Sequence, residues 1–285
     1  MNNLLIIGCG DIARRTIPLL KGRYRIYALI RNKMQRDALR ATGVIPILGD
    51  LDDRQHLMKI AGLADVVLHF APPPNTGTTD TRTRHLLAAL SRSARPKRFI
   101  YISTSGVYGD CGGTWVSETH PTNPQSARAR RRVDAEARIR DWARQNHVNA
   151  SILRVPGIYA EDRLPLERLR AGTPAIIAEE DSYTNHIHAD DLARIVAAAL
   201  SKGKPNRVYH ASDDSEQKMG DYFDAVADAY HLPCPLRLPR DEVERVVSPA
   251  MWSFMNESRR LTNARMKQEL KVVLRYPTVK DALPY

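Results

Sequence analysis

The sequence predicts a doubly wound α/β domain: a parallel sheet with helices on both faces, carrying a small discontinuous C-terminal cap. Three observations predict it. Short apolar runs alternate with amphipathic stretches through roughly the first 155 residues, the pattern of strands buried on both faces and helices buried on one. A glycine-containing turn, GCGDIA, directly follows the first apolar run. Beyond residue 156 the alternation breaks up, punctuated by Pro165, Pro174, Pro205, Pro233, Pro235 and Pro239.

In order, residues 4–7 form the first strand and 11–21 the first helix. A strand over 24–30 and a helix over 33–41 follow, then a strand over 44–48 and a short helix near 53–61. A strand over 64–70 leads into a helix over about 79–92. The fifth strand, 98–103, precedes an arginine-rich helix, and 150–155 is the sixth strand. A helix over 190–200 returns to the main domain. The main domain therefore takes residues 1–156 plus about 186–210, and the cap takes 157–185 and 211–285.

Composition narrows the function classes. The 285 residues are 43% hydrophobic and 26% charged, with a formal charge of +11. That charge favours anionic ligands such as phosphates and nucleotides. Cys9, Cys111 and Cys234 are widely spaced, which fits a reducing cytoplasm and gives no metal-ligand pattern. No apolar stretch is long enough to cross a bilayer. His186 and His188 resemble a metal pair, but no third ligand is in view, and turn or helix-entry duties suit them better. The expectations are no metal, no membrane and a small-molecule partner, with a homodimer left open.

Ligands of open α/β sheets bind beyond the carboxyl ends of the strands. At the first strand end, Gly8 allows a sharp turn, Gly10 lets a pyrophosphate approach the backbone, and Ala13 keeps the helix close. Asp11 and Ile12 open that helix, whose N-terminus favours phosphate. A dinucleotide is the expected cofactor. The second strand ends in Arg31 and Asn32, where an acidic residue would bind the ribose of NAD. A guanidinium there suits a 2′-phosphate, so NADP is expected and NAD is the alternative. Asp50 and Leu51 reach the adenine end, although an Asp here also serves as a turn cap. Phe70, Ala71 and Pro72, at the fourth strand end, line the groove. Ser103, Thr104 and Ser105 leave the fifth strand, where hydroxyls orient a carbonyl or cap a turn.

The ordered set GCGDIA, GDLDD, HFAPPP, YISTSGVYGD, ILRVPGIYA and NHIHADDLA resembles the short-chain dehydrogenase/reductase superfamily. It is closest to the extended and atypical branches that include sugar-nucleotide epimerases and dehydratases. The likeness runs from residue 3 to about 210. It implies a Rossmann-type NAD(P) domain, Thr104 at the active-site Ser/Thr position, Pro156 facing the nicotinamide, and a substrate cap after residue 156. It also implies a catalytic Tyr and Lys four residues apart. Those two places fall on Arg128 and Arg132, and the chain's Y-x-x-x-K, Tyr276 to Lys280, lies far beyond that helix. An always-charged guanidinium is a poor general acid or base.

The arginine-rich helix also has a reading of its own. Ala135, Ile139, Trp142 and Ala143 fall on one side, which should pack on the sheet. Arg128 and Arg132 lie on that same side and point toward the cleft, facing either an anionic ligand or a buried carboxylate. The other arginines scatter, whereas a nucleic-acid helix gathers them on one face, so no nucleic-acid partner is expected. Asp134 with Arg138 and Glu136 with Arg140 form acid-first i,i+4 pairs on a solvated face. Tyr108 is a stand-in proton donor or a packed aromatic. Cys9, at a helix N-terminus, is a candidate for a lowered pKa. The leading expectation is an NADP-binding reductase or epimerase/dehydratase-like enzyme on a small polar, anionic substrate, with Thr104, Arg128, Arg132 and Tyr108 at its centre. The alternative is a non-catalytic NAD(P)-binding redox sensor or scaffold.

Overall fold

A computed structural model describes residues 1–284. Its frame is a seven-stranded, wholly parallel sheet. The strands are β1 (Asn2–Ile7), β2 (Tyr24–Ile30), β3 (Ile45–Leu48), β4 (Val66–His69), β5 (Arg98–Thr104), β6 (Asn149–Val155) and β7 (Arg207–His210). Their spatial order is β7-β6-β5-β4-β1-β2-β3. The order reverses beside β1, where Leu5 pairs with Tyr27 of β2 on one side and Val67 of β4 on the other. A crevice at the carboxyl ends of β1 and β4 follows from that reversal.

The helices are α1 (Asp11–Leu20), α2 (Arg36–Ala41), α3 (Thr81–Leu90), α4 (Ala127–Gln145), α5 (Leu166–Arg170), α6 (Ala189–Lys202), α7 (Met219–Ala229), α8 (Arg240–Val246) and α9 (Pro249–Met255). The alternation of β1 decides the layers. Leu4 and Ile6 share a buried cluster with Ile17 and Leu20 of α1 and Leu192 and Val196 of α6. Leu5 and Ile7 share the opposite one with Leu86 of α3 and Ile139 and Trp142 of α4. Each such side chain contributes about 1.5–3 kcal/mol when fully buried. Helix starts are set by side-chain caps. Asp80 accepts the Thr83 N–H at 3.0 Å, and Ser126 Oγ accepts the Ala129 N–H at 3.2 Å.

The structure departs from the sequence expectations at four places. Residues 33–41 divide into a 3₁₀ turn (Lys33–Gln35) and α2, because the Asn32 side chain caps the turn. The expected helix near 53–61 is a single 3₁₀ stretch, His56–Ile60. Strand β7 was not anticipated; only four residues long, it pairs with β6 at the sheet edge. Smaller buried clusters lie outside the sheet layers. Tyr159, Leu169, Tyr222, Phe223 and Val226 form one, and Ile176, Val243 and Met255 form another. The segment 266–274, assigned to the cap from sequence, instead sends Met266, Leu270, Val272 and Leu274 into the main core.

Candidate functional site

Two cavities open beyond the strand ends. The first, about 490 Å³, runs from the β1–α1 turn past the ends of β2, β3 and β4. Gly8 has φ +88°, and a Cβ there would lie 2.5 Å from the Ala71 backbone nitrogen. Only glycine fits. A Cβ on Gly10 would meet nothing within 4 Å, so the space above this backbone is open to a ligand. No side chain caps the start of α1, which leaves its first N–H groups for an anion. Ala13 is buried against the core. This cradle suits a dinucleotide diphosphate.

The expected lining residues gather along this groove. Ile12, Arg31, Asn32, Asp50 and Leu51 all border it, as do Phe70, Ala71 and Pro72. Several side chains have local duties too. Asp11 accepts from Arg15 Nε at 2.9 Å and from Arg163 Nη1 at 3.0 Å. Asn32 Oδ1 accepts the Met34 N–H at 2.9 Å, and Asp50 Oδ1 accepts the Asp52 N–H at 3.0 Å. Arg31 is exposed at the groove wall. Sequence reasoning missed Arg82, which lines the groove while gripping Asp52 with two bonds of 2.9 and 2.6 Å. That pair holds the Asp52 carboxyl below its usual range, chiefly by hydrogen bonding. Cys9 corrects the reactivity expectation: burial pushes its thiol up, with Arg14 opposing, so the thiolate needed for reaction is disfavoured.

The second cavity, about 1080 Å³, continues from the first. Arg132, Ile158 and Arg163 line both. Thr104, Arg128 and Pro156 line the second, together with Ser105 and Gly106. Thr104 Oγ1 accepts the Gly106 N–H at 3.2 Å, which fixes the hydroxyl at the strand end. Glu257, also missed, lines this cavity and accepts from Arg259 Nη1 at 2.8 Å. A Cβ on Gly106 would stand 3.6 Å from Thr104 Oγ1 and 4.0 Å from Glu257 Oε2, so hydroxyl and carboxylate share one corner.

The two arginines differ. Arg132 Nη1 donates to Tyr101 Oη and to the Ile102 carbonyl, both at 2.9 Å. Arg128 lies over the Phe254 ring at 4.3 Å. Desolvation lowers its pKa, with Glu257 opposing. Neither arginine pairs with Glu136, the buried carboxylate of the same helix, which is held from elsewhere. Arg154 of β6 donates to it at 3.1 and 2.7 Å and Ser103 at 2.6 Å. The Glu136–Arg140 and Asp134–Arg138 pairs form, at 3.0 and 2.8 Å. Glu136, however, is only 3% exposed, so it does not sit on a solvated face.

Tyr108 requires correction as a proton donor. It is buried with Val107, Val116 and Leu261 and borders neither cavity. Its hydroxyl accepts from Arg154 at 2.7 Å and donates to His210 Nε2 at 2.5 Å. His210 Nδ1 faces the Thr262 carbonyl at 2.9 Å, which places the ring proton on Nδ1 and leaves Nε2 as the acceptor. Desolvation pushes Tyr108 up to about 12. His188 Nδ1 accepts the Asp190 N–H at 3.2 Å as the cap of α6, and His186 stacks on Tyr222 at 4.2 Å between ring centres.

Comparison with known proteins agrees with this geometry. A family model described as NAD dependent epimerase/dehydratase matches residues 4–212. A human dTDP-D-glucose 4,6-dehydratase is 25% identical over 194 residues, covering 61% of this chain and 55% of that protein. A Stigmatella aurantiaca 4-hydroxy-2-methyl-3-oxo-4-farnesyl-3,4-dihydroquinoline-1-oxide ketoreductase is 30% identical over 131 residues, covering 42% of this chain and 39% of its own. The chain matches about half the length of its curated dehydratase relatives. Among solved structures, a functionally unknown conserved protein from Silicibacter pomeroyi superposes with TM-score 0.80 at 31% identity, covering 99% of this chain and 96% of that one. The dTDP-glucose 4,6-dehydratase DesIV from Streptomyces venezuelae, with NAD bound, has the same fold, with TM-score 0.78 at 19% identity over 98% and 94% of the two chains. No helix among the described residues is long and apolar enough to cross a membrane.

Proposed function

The chain belongs to the NAD-dependent epimerase/dehydratase family, and from that premise we propose that it is an NADP-using oxidoreductase of epimerase/dehydratase type acting on an anionic small molecule. The observation that carries this is the continuity of the two cavities through Arg132, Ile158 and Arg163. A nicotinamide dinucleotide, when bound, supplies hydride exchange. Gly8, Gly10 and the first turn of α1 hold its diphosphate. Arg31 takes the 2′-phosphate, Asp50 and Leu51 border the adenine, and Pro156 packs at the nicotinamide end. Thr104 orients the reacting oxygen of the substrate, Arg128 adds positive charge to the substrate cavity, and Arg132 braces the wall between the cavities. Glu257, beside Thr104, is the group in that corner able to take the substrate's proton.

Turnover of NADPH and NADH against aldehydes, ketones and nucleotide sugars tests the reading, followed by absorbance. Substrate-dependent oxidation of NADPH is expected, and Arg31→Asp should shift the preference toward NADH by about tenfold or more, the scale of one lost charged hydrogen bond. An unchanged preference removes Arg31 from the site. One observation favours a second reading, a non-catalytic sensor: arginines stand where a phenol and an ammonium would supply the proton. An epimerase or dehydratase returns its hydride, so tight NADPH binding supports the sensor instead only when absorbance is unchanged and no substrate is converted to product.

A further inference from the structure

Arg168 is one of the second cavity's cations that the proposed chemistry leaves unused; Arg163 and Arg259, two others, are paired with Asp11 and Glu257. Arg168 comes from α5, in the cap, and lines the same cavity as Arg128. Its guanidinium lies over the Phe223 ring at 4.3 Å. Among the described residues, Nη2 donates to the Pro174 carbonyl at 2.6 Å, Nη1 reaches only the Met255 sulfur at 3.7 Å, and Nε is buried with no acceptor. Burial alone pulls its pKa down to about 10, with no acidic group acting against the shift. A partly desolvated charge without a counterion is costly. Arg128 is in a related position, over the neighbouring ring of Phe254. The two guanidiniums thus contact consecutive residues of α9, Phe254 and Met255.

Part of the lining is apolar, although Glu161, Asp162, Thr184 and Asn185 border the same cavity. Met219, Phe223, Met251 and Phe254 line the cavity, and thioether and aromatic side chains favour an apolar, adaptable contact. We propose that the second cavity binds an organic acid with an apolar body, its carboxylate on Arg168 and its body along Met219, Phe223 and Met251, with the reacting carbon toward Thr104. The last element rests on the oxidoreductase reading; the acid site itself stands on Arg168 and the apolar part of the lining.

Calorimetric titration of the full chain, with and without NADPH, tests it using decanoate, 1-decanol and UDP-glucose as probes. Decanoate should bind at least tenfold more tightly than 1-decanol, and UDP-glucose should not compete. Arg168→Met should weaken decanoate tenfold or more while NADPH affinity stays unchanged and the melting temperature holds or rises. Arg168→Lys, which keeps the charge and the fold, should retain most of the decanoate affinity. UDP-glucose binding in place of decanoate overturns the proposal, as does equal affinity for acid and alcohol, or decanoate binding indifferent to Arg168→Met. Loss of NADPH binding in the wild type, with decanoate still held by Arg168, refutes the redox reading and sustains the acid site.

Discussion

Two glycines of one turn are required for different reasons, and substitution separates them. Gly8 is in the left-handed region with a backbone nitrogen 2.5 Å from where its Cβ would be. Gly8→Ala should therefore destabilise the fold, by about 1–3 kcal/mol for strain alone, seen as a lower urea midpoint. Gly10 faces open space. Gly10→Val should leave the urea midpoint nearly unchanged and reduce NADPH affinity by about a hundredfold or more, since a branched side chain keeps the diphosphate off the backbone; fluorescence titration reads this. Both roles were legible in the sequence because a fixed spacing after an apolar run encodes a backbone shape. Arg168 was not. One arginine among 43 basic residues carries no mark of its counterion, and only the folded cap shows that it has none.

Helix α4 shows how far periodicity reaches. The 3.6-residue repeat placed Ala135, Ile139, Trp142 and Ala143 on the buried side, and all four are buried. It placed Arg132 toward the cleft, where it is found. It could not show that Glu136 is held by Arg154, because that partner arrives from β6 and pairing between elements leaves no local period. The arginines that suggested nucleic acid are occupied separately: Arg138 and Arg140 by their i−4 acids, Arg131 by the Gly77 carbonyl at 2.6 Å. The Glu136–Arg154 pair yields a sharp contrast. Arg154→Met strands a carboxylate that is 3% exposed and should cost about 3–5 kcal/mol. Arg140→Ala removes a partly exposed partner and should cost about 1 kcal/mol or less. Chemical denaturation of the two variants compares them directly; similar losses would mean that Arg154 is not the main counterion of Glu136.

Over the whole molecule, burial of titratable groups sets the response to pH. Desolvation drags His69 and His210 down to about 3 and His186 to about 4. The folded state keeps these rings neutral, while the unfolded chain takes up protons below about 6.5, so stability should fall as the pH drops from about 6.5 toward 4. Asp213 acts in the opposite sense. Desolvation raises it to about 7, with the Ser215 N–H opposing, and its Oδ2 is buried without a partner. Folding favours its protonated form, so its contribution is lost as the pH rises from about 4 through 7. Asp213→Asn should gain on the wild type in urea midpoint between pH 5 and pH 8, and parallel curves for the two proteins would rule Asp213 out. The parallel sheet and a ligand cleft at its carboxyl end were legible from the sequence; the pairing inside the region after residue 156 was not, since its two-residue strands (Ala175–Ile176 with Arg237–Leu238, Tyr183–Thr184 with Gln217–Lys218) are too short to show a period. The split of the cleft between early and late residues also has a consequence during translation. The first cavity draws its lining from the first third of the chain, apart from Ile102, Arg132, Ile158 and Arg163, and its supporting helix α6 ends at Lys202. Met251, Phe254 and Met255, which roof the neighbouring chamber, leave the ribosome some 50 residues later, several seconds at ordinary elongation rates. A nascent chain thus exposes its first cavity to the cell before the second has its Met and Phe lining.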